Sequence, residues 1–302
     1  LYLPTSLIYN TQPLFSDGGF AHNRPLGERG SYMSDKSNGE IERKLSPEEE
    51  ECDAKQRELN AQEAILADLQ LEYATLAAQL RDFHLEFICI VGIKYAELDE
   101  LLYEIAMLQA SEAPEGTEES EEAETKAEEA REKAEQSREE ADQGVEEEKE
   151  REKFEPTEEL KKLYRKACMK YHPDKSRNEE DRERFTRIMA EVNAAYEAGD
   201  IDKLKAILAG EHGVDDEKPD ESIVEQLIRL IQSLAQIKLV VINVQQNIES
   251  LKQDELWDLR EKVSESRENG EDLLEEMAEK VQVEIDAARE ELRRLQGGEE
   301  EE

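Results

Sequence analysis

Apolar residues recur in alternating steps of three and four along much of this chain, a period that predicts long amphipathic helices. Over residues 46–110 the stripe runs through Leu66, Leu69, Tyr73, Leu76, Leu80, Phe83, Phe87 and Ile90. Near Gly92 it shifts by one additional four-residue step, then resumes at Leu98, Leu101, Ile105 and Leu108. Such a shift is a stutter within a continuous helix. A hairpin at Gly92 is the competing reading, but FICIVGI is too apolar for an exposed tip. Ser46, Pro47 and Glu49 form a capping box with proline at the first helical position. Leu85, Ile88 and Val91 lie off the main seam, so a second helix is expected to pack there.

Residues 223–296 carry the strongest heptad: Ile223, Leu227, Leu230, Leu234, Ile237, Val241, Val244, Ile248 and Leu251. Ile228, Ile231, Leu239 and Ile242 widen it beyond a two-stranded seam, which requires burial on more than one neighbour. Asn269-Gly270 marks a C-cap or break. Leu274, Met277, Val281, Ile285, Ala288, Leu292 and Leu295 then define a last amphipathic helix before an acidic tail at 297–302. Heptads state that partners exist, not whose they are. The two coiled-coil regions pair either within one chain, as an antiparallel stalk with the central segment at its tip, or between chains.

Residues 111–153 are glutamate-rich, with Ala123, Ala127, Ala130, Ala134, Ala141 and Val145 at heptad spacing and Gly144 interrupting them. A mostly solvated helical linker is expected, held by Glu-to-Lys/Arg pairs, a flexible acidic linker with helical tendency being the competing reading. Residues 210–222 read as a polar linker. Residues 1–45 lack periodicity and read as disorder. Met33-Ser34-Asp35-Lys36 resembles a translation start, so residues 1–32 are expected to be extraneous.

A different pattern occupies the centre. Leu160, Tyr164, Ala167 and Tyr171 form one apolar helical face, flanked by Lys161, Lys162, Arg165, Lys166 and Lys170. Thr157 is a good N-cap, with Glu158 and Glu159 where the helix dipole favours acids. Pro173 disfavours helix at His172, so the helix stops there and a loop begins at His172-Pro173-Asp174.

The string KKLYRKACMKYHPDK resembles the second helix and loop of the J-domain (DnaJ-like) co-chaperones, and FTRIMAEVNAAYEAGD, from Phe185 to Asp200, resembles the third helix. The resemblance spans residues 154–209. It implies two antiparallel helices, with Met189, Val192 and Tyr196 facing Tyr164, Ala167 and Tyr171. It also implies docking of His172, Pro173, Asp174 and the basic face on a DnaK-type (heat-shock protein 70) chaperone, whose ATP hydrolysis would be stimulated. The ring of His172 is then expected to face the partner. The family's usual first helix is missing: EEEKEREKFEP precedes the motif, with Phe154 its only large apolar residue. Either Phe154 and an atypical neighbour fill that space, or another part of the chain does. Ile201, Leu204, Ile207 and Leu208 are further candidates.

Composition narrows the choices. The chain has 302 residues, 39% of them charged and 5% aromatic, with a formal net charge of −39. That composition favours long helices over one large core. It disfavours nucleic acid and anionic membrane surfaces as partners. No apolar run is expected to reach the roughly 20 residues of a membrane span, LVVINV at Leu239–Val244 being the best candidate. Cys52, Cys89 and Cys168 are scattered, without metal or disulfide spacing, and fit a reducing cytoplasm. They exclude the zinc-binding repeats of some J-domain proteins, and no Gly/Phe-rich linker follows the motif. No catalytic set, cofactor site or metal site stands out, so an enzyme is not expected.

The sequence therefore predicts an all-α, elongated protein, with a J-like module set between coiled-coil arms. The arms would target it through a helical partner or self-association. The alternative is a structural adaptor whose J-like segment does not stimulate an ATPase.

Overall fold

The computed structural model describes residues 45–114, 116–150, 154–173, 179–210 and 221–297. The expectations for residues 1–44, most of the linker at 210–222 and most of the acidic tail lie outside them. Among the described residues all regular structure is helical: α1 (Pro47–Phe87), α2 (Ile93–Glu112), α3 (Glu118–Glu150), α4 (Glu158–Tyr171), α5 (Glu179–Glu197), α6 (Ile201–Ala209), α7 (Ile223–Lys252), α8 (Glu255–Glu268) and α9 (Leu273–Gly297).

α1 begins at the capping box: Ser46 Oγ accepts from Glu49 N, and Glu49 Oε2 accepts from Ser46 N at 2.7 Å. It passes into α2 through a π-helical turn, Ile88–Gly92, whose flanking residues keep right-handed helical dihedrals. The extra residue of a π turn absorbs the seam shift at Gly92. The result is one rod of about 100 Å at 1.5 Å per residue.

α7, α8 and α9 run beside this rod in the same direction. Lys238 meets Glu58 at 2.7 Å, Lys252 meets Glu72 at 3.2 Å, and Arg267 meets Glu86 at 2.7 Å. Arg289 pairs with Glu97 further along. Both residue numbers rise together, so the arms pair in parallel within the chain, and the antiparallel stalk is corrected. The seams explain the direction. Leu59 and Leu66 pack with Leu230, Leu234, Ile237 and Val241. Phe83, Phe87, Val91, Leu98 and Ile105 pack with Trp257, Leu274, Val281, Ile285 and Leu292. The break between α8 and α9 falls at Gly270 with φ +83°, where Glu271 N donates to Ser266 O at 3.0 Å.

The Glu-rich segment is helical but is not a free linker. α3 folds back antiparallel on α2 and buries Ala127, Ala134 and Ala141, one every seven residues. Asp99, 2% exposed, accepts from Ser137 Oγ at 2.6 Å and pairs with Lys133 Nζ at 2.8 Å. Gly144 passes so close to the π turn that a Cβ on it would stand 2.6 Å from Ile88 Cγ2. The glycine that looked like an interruption is the notch that admits Ile88.

By length and composition α7 could cross a membrane, with mean hydropathy 1.5 over an 18-residue window that is 28% buried. This corrects the expectation that no apolar run is long enough: polar Gln and Ser residues break the run without adding charge.

Candidate functional site

α4 starts at Thr157, whose Oγ1 accepts from Leu160 N at 3.2 Å, and ends at His172 in extended backbone (φ −62°, ψ 130°). The proline rule predicted this stop. α5 returns alongside α4, burying Phe185, Val192 and Tyr196 completely against Tyr164, Ala167 and Tyr171. The ring centroids of Tyr164 and Tyr196 are 4.5 Å apart, and Tyr164 Oη donates to Asn193 Oδ1 at 2.9 Å. Gly199, at φ +67°, turns the chain into α6, which Asp200 caps by accepting from Lys203 N at 2.8 Å.

α6 then closes the end of α4. Leu204 is fully buried, Tyr171 Oη donates to Ile207 O at 2.9 Å, and Lys170 Nζ donates to Leu208 O at 2.9 Å. Tyr171 and Lys170 thereby satisfy carbonyls at a helix C-terminus, where cations are also favoured.

The place of a first J-domain helix is taken by α1. Ala67, Ala74 and Ala78, with Leu71 among them, form an alanine-rich stripe at helical spacing, packed in one core with α4, α5, α6 and Phe154. Small side chains let the helices approach closely. Polar links tie the edges: Thr75 Oγ1 lies 2.7 Å from Tyr196 Oη, and Phe154 N donates to Asp82 Oδ2 at 2.9 Å. Arg81 bridges Glu147 of α3 and Glu197 of α5. Phe154 stacks edge-on against Tyr196 at 5.4 Å. Both candidates for the missing packing, Phe154 and another part of the chain, contribute. The stripe was visible as spacing in the sequence, but alanines carry so little hydrophobic weight that the leucine seam masked it.

This packing divides the expected chaperone-binding residues. Lys162 and Lys166 are exposed, one turn apart, with Lys170 and Met169 continuing the row. Lys161 pairs with Glu158 at 2.9 Å, while Arg165 Nε reaches Asp68 Oδ1 of α1 at 2.6 Å. Pro173 is buried and His172 is only 3% exposed, which corrects the expectation that the imidazole faces outward. His172 and Pro173 follow directly on Tyr171, which α6 and Phe185 enclose. Asp174 lies outside the described residues.

Cys168 is buried between α4 and its neighbours, and burial pushes its thiol up to about 12. Burial also raises the Tyr164 phenol well above its ordinary value. Neither group is poised for chemistry near neutral pH. Among the described residues, no cluster of His, Cys, Asp or Glu could hold a metal ion.

The DnaJ domain family profile matches residues 144–198. The match begins inside the last turns of α3 and ends before α6, so this module's contacts with α1 and α6 fall outside the matched segment. No curated protein and no solved structure matches the chain. The chain carries a DnaJ domain, the hallmark of co-chaperones that work with heat-shock protein 70 partners.

Proposed function

We propose that this protein binds a DnaK-type chaperone through the row Lys162, Lys166 and Lys170 together with the His172-Pro173-Asp174 loop, and stimulates its ATP hydrolysis. The observation that carries the reading is the exposed basic row leading into that loop, in a chain of net charge −39. An acidic groove on the partner would be attracted to this row, and the rest of the surface would be repelled from other anionic targets. Such complementarity acts mainly on encounter rate and orientation. The two helical arms would hold the module at a chosen helical protein.

A second reading has its own support. Arg165 is tied to Asp68, Lys170 to Leu208 O, and His172 is enclosed. A module with those groups engaged internally could dock on a chaperone as an adaptor without driving hydrolysis. Binding and turnover separate the two. Affinity for a DnaK-type chaperone should fall as salt rises, since exposed charges are screened over about 10 Å at 0.1 M. It should fall again in Lys162→Glu/Lys166→Glu. Binding that ignores both salt and charge reversal would place the interface elsewhere, and binding without any ATPase stimulation would favour the adaptor.

A further inference from the structure

The inner face of α7 is committed to α1 through Leu230, Leu234, Ile237, Val241 and Val244. On the other side a second stripe stays exposed: Val224 is 60% exposed, Ile228 50%, Ile231 47%, Leu239 63% and Ile242 48%. Ala235 is exposed on the same face. The spacing keeps these groups on one side for about five turns. Scattered exposed apolar residues are ordinary, but a contiguous run of this kind marks an interaction surface.

Charge identifies the occupant. Between Glu225 and Glu249 the sequence has no acidic residue, although 78 of the 302 residues are acidic. Its two cations are already paired, Arg229 with Glu221 at 2.6 Å and Lys238 with Glu58 at 2.7 Å. The stripe is thus electrically quiet in a molecule whose remaining surface repels its own copies. The order of side chains along it is also nearly its own reverse. About Ser233, reversal places Val224 opposite Ile242, Ile231 opposite Ala235, and Ile228 opposite Lys238 beside Leu239. Large meets small at the centre and aliphatic meets aliphatic at the ends.

We infer that the outer face of α7 docks on α7 of a second copy of this chain, antiparallel, about a two-fold axis near Ser233. A two-fold contact of this type uses the same patch on both copies and closes on itself. Roughly 1,000 Å² in total would be covered with the flanking polar side chains included, the lower edge for a specific interface. A neutral lipid surface would accept the same stripe. It is disfavoured because α7 is held along its length by α1, whose Glu58 and Glu72 would be carried toward the bilayer.

Sedimentation equilibrium of the full chain should show a monomer–dimer equilibrium within about 1–100 µM. Ile231→Glu/Leu239→Glu should weaken it at least tenfold. Helical circular dichroism should not change, because neither side chain is buried. Orientation is read by cross-linking in chains whose native cysteines are alanine: Val224→Cys should cross-link to Ile242→Cys in mixtures, and neither variant to itself. A monomer throughout that range, or a dimer indifferent to the double substitution, overturns the inference. So does a monomer that floats with phosphatidylcholine vesicles through this face.

Discussion

Tyr196 of α5 shares a hydrogen bond with Thr75 of α1, the oxygens 2.7 Å apart across 121 residues of sequence. Through that contact and the alanines beside it, the rod completes the core of the DnaJ domain. The domain is therefore not an independent bead between arms. It is a helical hairpin that borrows a wall from α1.

A fragment spanning residues 144–210 should accordingly fail to fold alone. The hairpin would expose Tyr164, Tyr196 and Ala167 where α1 now covers them, and a chain this short has little core to spare. Far-ultraviolet circular dichroism and urea titration of the fragment check this. Cooperative unfolding at native-like stability would show that α1 is dispensable. In the full chain, Ala74→Leu should overpack the seam and cost about 1–3 kcal/mol.

Gly144→Ala tests the notch in α3. Alanine is the better helix former by about 1 kcal/mol, so propensity alone predicts stabilisation. The Cβ would meet Ile88 Cγ2 at 2.6 Å, and a β-branched side chain in a π turn has little room to yield. We expect a net loss of about 1–2 kcal/mol in thermal unfolding, the scale of an overpacked core. Ile88→Ala in the same chain should remove much of the added penalty, giving a measurable coupling.

Much of this was legible in the sequence. The caps at Ser46 and Thr157, the stop at Pro173 and the shifted seam at Gly92 each rest on local rules, and local rules need no knowledge of the partner. The packing of α3 and the direction of the arms were not legible in that way. Alanine and glycine signal close approach only once the opposing side chain is known, as Ile88 is for Gly144. A heptad is the same read toward a parallel or an antiparallel neighbour, and the pairing of Lys238 with Glu58 needed the fold to appear. The burial of His172 was not legible either, because whether a residue after a helix stop turns inward is set by tertiary packing, as α6 sets the enclosure of Tyr171.

Asp68→Ser should free Arg165 from its 2.6 Å pairing with α1. Both partners are solvent-accessible, so the bond itself contributes at most about 1 kcal/mol and the fold should survive. Freed, the guanidinium adds to the basic row, and affinity for a DnaK-type chaperone should rise about two- to fivefold at low salt. Titration calorimetry reads this directly. Unchanged affinity would exclude Arg165 from the interface.

His84 supplies a pH dependence. It is buried on α1, and burial lowers its basicity, against the opposing pull of Glu140, Glu147 and Asp254. The folded state therefore holds the ring neutral while the unfolded chain still binds a proton near its ordinary value of 6.5. Stability from this group is fully present above that value and is lost as pH falls through it toward the lower folded one. Melting temperatures of wild type and His84→Gln should converge as pH drops from neutral into the mildly acidic range. A gap that stays constant would show that His84 does not titrate on unfolding.

Single-turnover ATP hydrolysis by a DnaK-type chaperone tests most directly the proposal that the DnaJ domain, leaning on α1, drives hydrolysis. The full chain should accelerate hydrolysis. Lys162→Glu/Lys166→Glu should abolish the acceleration with helicity unchanged, because both side chains are exposed. His172→Gln should also abolish it, read beside its own unfolding curve because the ring is buried. A wild-type chain that binds the chaperone yet leaves its hydrolysis rate unchanged, or a charge-reversed chain that stimulates as well as wild type, would contradict the account.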